Sequence, residues 1–157
     1  MTIVAALITP KGCWMGADSL SSDDLTCATV SSPKVGRFGN KLVGFSGNWD
    51  GIRILDIARR SPEISAEELL FRSGPFKEGL VLLIIENGAL YFVQEEKTLI
   101  RRQRKQGYAY DAIGSGASHA LGSLYSSHKG REDVLTSLKA AAHHNPHCRA
   151  PFRIVSL

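Results

Sequence analysis

The feature that most constrains the fold is the arrangement of the first 45 residues, where two hairpin signals come before any helical pattern. Two apolar runs flank a Thr-Pro-Lys-Gly turn at residues 9–12, which is typical of a β-hairpin. A polar loop over residues 19–33 separates this hairpin from a second one around Gly39-Asn40. We therefore expect four strands at the start of the chain, at residues 2–8, 12–15, 34–38 and 41–45.

The rest of the chain mixes helical and strand patterns without a regular strand-helix-strand repeat. Ile52, Leu55 and Ala58 lie on one stripe of a helix that begins near Trp49. Ser65 opens a second, short helix with the pattern of a capping box. Further strands are expected at residues 79–85, 89–94, 109–113 and 152–155, and further helices at residues 117–127 and 132–144. Two antiparallel sheets covered by helices satisfy this order, whereas a parallel sheet does not.

The composition indicates one soluble globular domain over residues 1–157. The chain is 43% hydrophobic and 22% charged, which is ordinary for such a domain. No apolar stretch reaches the roughly 18 residues of a membrane span, and no secretory signal precedes the first strand, so a cytoplasmic location is expected. The three cysteines are odd in number and widely spaced, which does not indicate a disulfide framework.

Charge and motif content argue against nucleic acid and cofactors as partners. The formal net charge is +4, and much of it comes from a basic run over residues 97–105. This run, with Tyr108 and Tyr110 after it, is compatible with nucleic-acid binding, but a solvated strand and loop is its simpler interpretation. The Gly-Ser-Gly turn at residues 114–116 lacks the dinucleotide and P-loop patterns. We therefore expect no cofactor.

Thr2 is the first residue with a candidate chemical role. A threonine hydroxyl is a weak nucleophile near neutral pH and needs a base to accept its proton. A threonine at the start of a chain has such a base in its own α-amine, whose ordinary pKa is about 7.7–8.0. Aminopeptidases readily remove a methionine that precedes a small residue, and cleavage after Met1 exposes Thr2. Taken alone, however, Thr2 is more simply an early strand residue.

Short blocks spread over nearly the whole chain resemble the proteasome β-subunit and HslV family of N-terminal threonine peptidases, which are N-terminal-nucleophile (Ntn) hydrolases. Residues 2–5 look like the family's Thr-Thr-Ile-Val start. Met-Gly-Ala-Asp-Ser at residues 15–19 looks like its Gly-Ala-Asp-Ser block, and Lys34-Val35 like its Lys-Val pair. Gly-Phe-Ser-Gly at residues 44–47 is similar to its Gly-Phe-Ala-Gly turn, and residues 112–116 to its Gly-Ser-Gly turn.

The resemblance implies catalytic roles for five residues. Counted from Thr2, Asp18 and Lys34 lie at the intervals that separate the family's nucleophile from its catalytic aspartate and lysine. A lysine ammonium stabilises the developing alkoxide, and a paired carboxylate keeps that lysine charged and oriented. Gly47 matches the backbone N–H donor to the oxyanion, and Ser115 matches the polar network that positions the terminal amine.

The same resemblance implies a fold, a substrate and an assembly. The implied fold is an α+β four-layer αββα sandwich. The implied activity is hydrolysis of peptide bonds in peptides or unfolded protein, through an acyl ester on Thr2. Proteasome-like subunits usually form rings that enclose their sites and are fed by an ATP-dependent unfoldase, so a homo-oligomeric ring and an unfoldase partner are expected.

Two departures from the family pattern leave a second function open. Met1-Thr2-Ile3-Val4 can also be aligned with Met1 at the nucleophile position, and in that register the nucleophile is missing. Near the C-terminus, Asn145 and Cys148 occupy the positions of an aspartate and a serine that help to hold the terminal amine. Asparagine forms hydrogen bonds but carries no charge. The alternative is therefore a catalytically inactive, proteasome-like protein with a structural or assembly role.

The same C-terminal segment also contains residue types that bind zinc. Three histidines and a cysteine fall within six residues, at His143, His144, His147 and Cys148. Pro146 interrupts the helix between them, and no second group of ligands appears elsewhere in the sequence. Histidines are also common at helix ends, where they interact with the helix dipole. We therefore expect no metal site.

Overall fold

The computed structural model describes residues 2–22, 27–29 and 33–157, with side chains described for residues 2–19 and 33–157. Met1, whose removal would expose Thr2 as the N-terminal residue, lies outside the described residues. The strands are β1 (Ile3–Thr9), β2 (Gly12–Ala17), β3 (Leu20–Ser22), β4 (Cys27–Thr29), β5 (Val35–Phe38), β6 (Lys41–Ser46), β7 (Val81–Glu86), β8 (Ala89–Val93), β9 (Ile100–Arg101), β10 (Ala109–Gly114) and β11 (Arg153–Ser156). The helices are α1 (Gly51–Arg60), α2 (Ala66–Arg72), α3 (Ala117–Ser126) and α4 (Arg131–His144).

The first sheet is antiparallel, with the strand order β10-β1-β2-β11. Strand β1 lies in its interior and is buried along its whole length. Ile3, Ala5 and Leu7 pack against α3 and α4, whereas Val4, Ala6 and Ile8 point to the core between the two sheets. Because both faces of this strand are covered, its sequence is a continuous apolar run rather than an alternating one.

The second sheet is antiparallel, with the strand order β5-β6-β7-β8-β9. Strand β7 lies in its interior and also contributes to two cores: Leu83 and Ile85 face the first sheet, and Leu82 and Ile84 face α1 and α2. At Gly44 the two sheets come so close that an added Cβ would lie 2.8 Å from the Met15 sulfur. The absence of a side chain there permits this approach.

The helices form the two outer layers, one pair on each sheet. Helix α2 begins where the sequence predicts, since the Ser65 hydroxyl accepts a hydrogen bond of 3.1 Å from the Glu68 N–H and caps the helix. On the other side, α4 packs tightly on β2, where an added Cβ at Gly16 would lie 2.8 Å from Leu138. The layer order is helix, sheet, sheet, helix, so the expected αββα sandwich is confirmed.

One local expectation was incomplete. Part of the predicted loop at residues 19–33 forms a small hairpin, in which β3 pairs with β4. Each of these strands has only three residues, which is too short to produce a readable apolar alternation. In the basic run, Ile100–Arg101 forms a short exposed edge strand, β9, that pairs with β8, in line with the expected solvated strand and loop. Within the described residues, no helix is long and apolar enough to cross a membrane.

Candidate active site

Three candidate residues from separate parts of the sequence meet at one end of the two packed sheets. Thr2 directly precedes β1, Asp18 follows β2, and Lys34 precedes β5. Hairpin pairing brings the first two together, because Val4 pairs with Ala17 and the Asp18 N–H donates to the Ile3 carbonyl at 3.2 Å. Lys34 comes from the second sheet, so the site depends on the packing of the two sheets.

The side chains of these residues form a closed triangle of hydrogen bonds. The Lys34 ammonium donates to the Thr2 hydroxyl oxygen at 2.5 Å and to Asp18 Oδ1 at 3.0 Å. The Thr2 hydroxyl in turn donates to the same carboxylate oxygen at 2.5 Å. A hydroxyl that contacts both an ammonium and a carboxylate can have its charge stabilised as its proton leaves.

Burial and charge act on Lys34 in opposite directions. Its side chain is only 3% exposed, and this burial lowers the pKa of its ammonium below the ordinary value. The Asp18 carboxylate opposes this lowering through its charge and its hydrogen bond, and the nearby Cys148 acts in the same direction as Asp18. Lys34 is therefore a buried cation kept in place chiefly by one carboxylate.

Asp18 is itself held by backbone groups from two segments. The Ile3 N–H donates to Oδ1 at 3.1 Å, and the Arg149 N–H donates to Oδ2 at 3.4 Å. The Arg149 carbonyl also accepts a hydrogen bond of 3.3 Å from the Ser19 N–H. The segment between α4 and β11 thus orients the carboxylate. Sequence reasoning missed Arg149, because a backbone donor leaves no signature in residue identity.

The turn between β10 and α3 lies against the backbone of Thr2. Gly114 has φ +103°, and a Cβ there would lie 2.1 Å from the Thr2 carbonyl oxygen, so this position requires glycine. The Ser115 hydroxyl donates to that carbonyl at 3.4 Å. These contacts fix the backbone of Thr2, which the candidate role of Ser115 requires.

The two residues that depart from the family pattern both contact Ser115. The Asn145 amide donates to the Ser115 carbonyl at 2.7 Å, and its own oxygen accepts the His147 N–H at 2.9 Å. The Cys148 sulfur lies 3.9 Å from the Ser115 hydroxyl. Cys148 is buried, and burial raises the pKa of its thiol. Asn145 and Cys148 thus support the turn that contacts Thr2.

Gly47 follows β6, a strand whose end is hydrogen-bonded to the backbone of Lys34. The Phe45 N–H donates to the Lys34 carbonyl at 3.0 Å, which ties the end of β6 to the catalytic candidate. Gly47 has φ +84°, and an added Cβ would lie 1.8 Å from the Gly79 carbonyl oxygen. Only glycine fits this conformation, and its N–H is the candidate oxyanion donor.

The histidines of α3 and of the end of α4 contact one another through their rings. Among the residues whose placement is described, no group of three His, Cys, Asp or Glu side chains is positioned to hold a metal ion. The His119 and His144 rings stack at 4.9 Å, and His143 meets the His144 ring edge-on at 4.8 Å. The first contact joins α3 to α4, and the second lies within α4.

The layer order and strand pairing define the class of the molecule: the chain has the fold of proteasome β-subunits and HslV. The Thiobacillus denitrificans BPH protein in complex with epoxomicin superposes with a TM-score of 0.79 and 17% identity, over 99% of this chain and 97% of that one. Eukaryotic HslV from Trypanosoma brucei gives a TM-score of 0.74 and 14% identity, over 99% and 98%. The Anbu complex from Pseudomonas aeruginosa, a helical assembly, gives 0.77 and 12%, over 99% and 80%.

The sequence on its own matches no family model and no curated protein. At identities of 12–17%, the structural likeness establishes the fold.

Proposed function

We propose that this protein is an N-terminal threonine peptidase that hydrolyses peptide bonds once Met1 has been removed. The observation that supports this most strongly is the triangle formed by Thr2, Asp18 and Lys34. Thr2 is only 4% exposed, and its hydroxyl contacts both the Lys34 ammonium and the Asp18 carboxylate. A structural threonine in a strand does not require a buried ion pair at its hydroxyl.

The first half of the reaction acylates Thr2. The free α-amine accepts the hydroxyl proton, directly or through a water, while Oγ attacks the carbonyl carbon of the substrate. The Lys34 ammonium stabilises the negative charge on Oγ as the proton leaves. The carbonyl oxygen becomes an oxyanion, for which the Gly47 N–H is the proposed donor. Collapse of this intermediate breaks the C–N bond, and the leaving amine takes the proton from the α-ammonium.

The second half of the reaction restores the enzyme. Water attacks the ester carbon, the α-amine accepts the proton of that water, and a second oxyanion forms at the same place. Its collapse releases the carboxylic acid product and returns the proton to Oγ. Asp18 holds Lys34 in its charged form through both halves, while Ser115, supported by Asn145 and Cys148, keeps the backbone of Thr2 in position.

The proposed substrates are peptides and unfolded protein, and the proposed active form is a homo-oligomer. The fold shared with HslV and with the helical Anbu assembly supports self-association. A ring that encloses the sites would restrict access to unfolded chains. On this proposal an ATP-dependent unfoldase is the partner that delivers folded substrates.

The activity is tested by peptide hydrolysis with protein whose N-terminus has been established by intact-mass analysis. Protein lacking Met1 is expected to cleave fluorogenic peptides, and Thr2→Ala to reduce turnover at least about 1,000-fold. Thr2→Ser is the matched control, because it keeps both hydroxyl and amine and should retain measurable turnover. A protein that keeps Met1, or one that begins at Thr2 and cleaves nothing, would instead support the structural or assembly role.

A further inference from the structure

Trp49 is a partly exposed aromatic residue beside the candidate active site to which the proposed mechanism gives no role. It lies in the connection between β6 and α1, two residues after Gly47. Its residue surface is 39% exposed, and it is one of the few large hydrophobic residues exposed in the described structure. Exposure of a single aromatic residue is ordinary for a protein surface, so it is the contacts of the ring that indicate a role.

The indole ring of Trp49 is positioned over the reactive cation. The Lys34 ammonium lies 5.9 Å from the centre of the ring, within the range of a cation–π interaction. The ammonium also contacts the Thr2 hydroxyl, just before β1, and the Asp18 carboxylate, just after β2. The β6–α1 connection adds the indole as a further neighbour.

Phe45 links the ring to the lysine backbone. Its N–H donates to the Lys34 carbonyl, and its side chain packs edge-on against Trp49 with the ring centres 6.1 Å apart and the planes at 70°. This geometry is a favourable one for an aromatic pair. One residue therefore holds both the main chain of Lys34 and the ring that covers its ammonium, so the two are fixed relative to each other.

We propose that Trp49 is a positioning residue for Lys34, which covers the ammonium and keeps it directed at the Thr2 hydroxyl. This proposal rests on the peptidase function proposed above. The negative face of the indole attracts the cation, and the bulk of the ring excludes water that would compete for its protons. An ammonium with fewer water partners spends more of its time bonded to Thr2 and Asp18.

The contact itself is tested by fluorescence, independently of catalysis. The chain contains two tryptophans, Trp14 and Trp49, so Trp14→Phe leaves Trp49 as the only indole. In that background Lys34→Met should shift the emission maximum and intensity of Trp49. Lys97→Met is the matched control, because Lys97 lies 5.9 Å from the Phe76 ring, away from Trp49. An unchanged spectrum in the folded Lys34→Met variant would overturn the proposal.

The functional consequence is tested by the pH dependence of turnover in Trp49→Ala and Trp49→Phe. Burial lowers the pKa of Lys34, whereas the negative face of the ring favours the charged ammonium, so removing the ring changes two opposing influences and should displace the alkaline limit of kcat. In Trp49→Ala kcat should also fall about fivefold, because the ammonium is directed less well at the Thr2 hydroxyl. Trp49→Phe keeps an aromatic face and should restore most of both properties.

A control variant separates this effect from general loss of packing. Phe76→Ala removes a ring that lies over Lys97 at the same 5.9 Å and should leave kcat and its pH profile unchanged. A Trp49→Ala variant with the pH profile and kcat of the unmodified protein would contradict the positioning role, as would an equal change in Phe76→Ala. If no variant, and not even the unmodified protein, turns over, the peptidase proposal fails, while the fluorescence result still decides the Trp49–Lys34 contact.

Discussion

Two buried lysines, one just before β5 and one at the start of β6, have different partners. Lys34 donates to the Thr2 hydroxyl and to the Asp18 carboxylate in the candidate active site. Lys41 is fully buried at the start of β6, where it donates to the backbone carbonyls of Pro62, at 2.9 Å, and Ile64. The nearest carboxylate to Lys41, that of Glu86, lies 4.0 Å away.

The comparison shows that the partners of a buried cation, and not its burial, indicate its role. Lys41 donates hydrogen bonds to two backbone carbonyls in the connection between α1 and α2. These bonds stabilise that connection. The Lys34 ammonium instead donates to a carboxylate and to a hydroxyl that can become a nucleophile. We therefore expect substitution of Lys41 to affect mainly stability and substitution of Lys34 to affect mainly turnover. Both expectations can be tested by experiment.

The largest effect is expected from Lys34→Met. Removing the ammonium leaves the developing charge on Thr2 Oγ without its main stabilising group, so kcat should fall at least about 1,000-fold. The measurement is the rate of peptide hydrolysis per folded subunit. A variant that is folded and retains a tenth or more of normal turnover would remove Lys34 from the mechanism.

Lys41→Met should lower stability and leave turnover almost unchanged. The substitution leaves the Pro62 and Ile64 carbonyls without their donor, so the free energy of unfolding should fall by about 2–4 kcal/mol. Denaturant unfolding measures this loss, and kcat per folded subunit should stay within about threefold of normal. If Lys41→Met is as stable as the unmodified protein, the structural interpretation of Lys41 is wrong.

Asp18→Asn should reduce turnover without abolishing it. The neutral amide no longer supports the charged form of Lys34, so the pKa of the lysine should fall further and kcat should decrease about 100-fold at neutral pH. Glu86→Gln is the matched change beside Lys41, and it should leave kcat unaltered. Equal losses of turnover in the two variants would contradict a specific role for the Asp18 carboxylate.

The pH dependence of turnover should show the lowered pKa of Lys34. Lys34 acts in its charged form, and because burial lowers its pKa, log kcat should decline at a pH below the ordinary lysine value of about 10.4. In the unfolded chain the lysine keeps its proton to higher pH than in the folded protein. Between these two pKa values the contribution of Lys34 to the free energy of unfolding therefore rises with pH, whereas below both it is unfavourable.

This prediction is checked with a pH profile of kcat and with unfolding experiments over the same range. Lys34→Met should lack the rise in stability with pH, and Lys41→Met should retain it. A profile of the unmodified protein that stays flat up to about pH 10 would show that Lys34 titrates normally.

The smallest effect is expected from Cys148→Ser. The Cys148 sulfur supports Ser115 from 3.9 Å, and a hydroxyl can take over this contact at closer range. We expect kcat to change by less than about threefold, because a single neutral hydrogen bond contributes about 1 kcal/mol. A loss of turnover comparable to that of Asp18→Asn would mean that the thiol takes part in the chemistry.

The sequence predicted those parts of the fold that depend on local pattern and turn residues. The hairpins around residues 9–12, 39–40 and 86–88 and the Ser65 cap are local signals, and each lies where it was expected. The short hairpin of β3 and β4 was not foreseen, because its strands are polar and only three residues long.

The candidate site was foreseen only where residue identity carries the signal. The spacing of Thr2, Asp18 and Lys34 was visible through the family resemblance, and the structure brings these three side chains together. The Arg149 N–H at Asp18 and the Trp49 ring at Lys34 were not foreseen. Both are contacts between distant segments, and they exist only after the sheets, α4 and the β6–α1 connection have packed.

The most direct test of the central claim is covalent labelling of protein that begins at Thr2. Incubation with a β-lactone probe, followed by intact-mass analysis and peptide mapping, shows which nucleophile reacts. We predict one added probe mass per subunit, located on Thr2, and no addition in Thr2→Ala or Lys34→Met. Protein with a free Thr2 terminus that remains unlabelled, or that is labelled at Cys148 instead, would contradict the account.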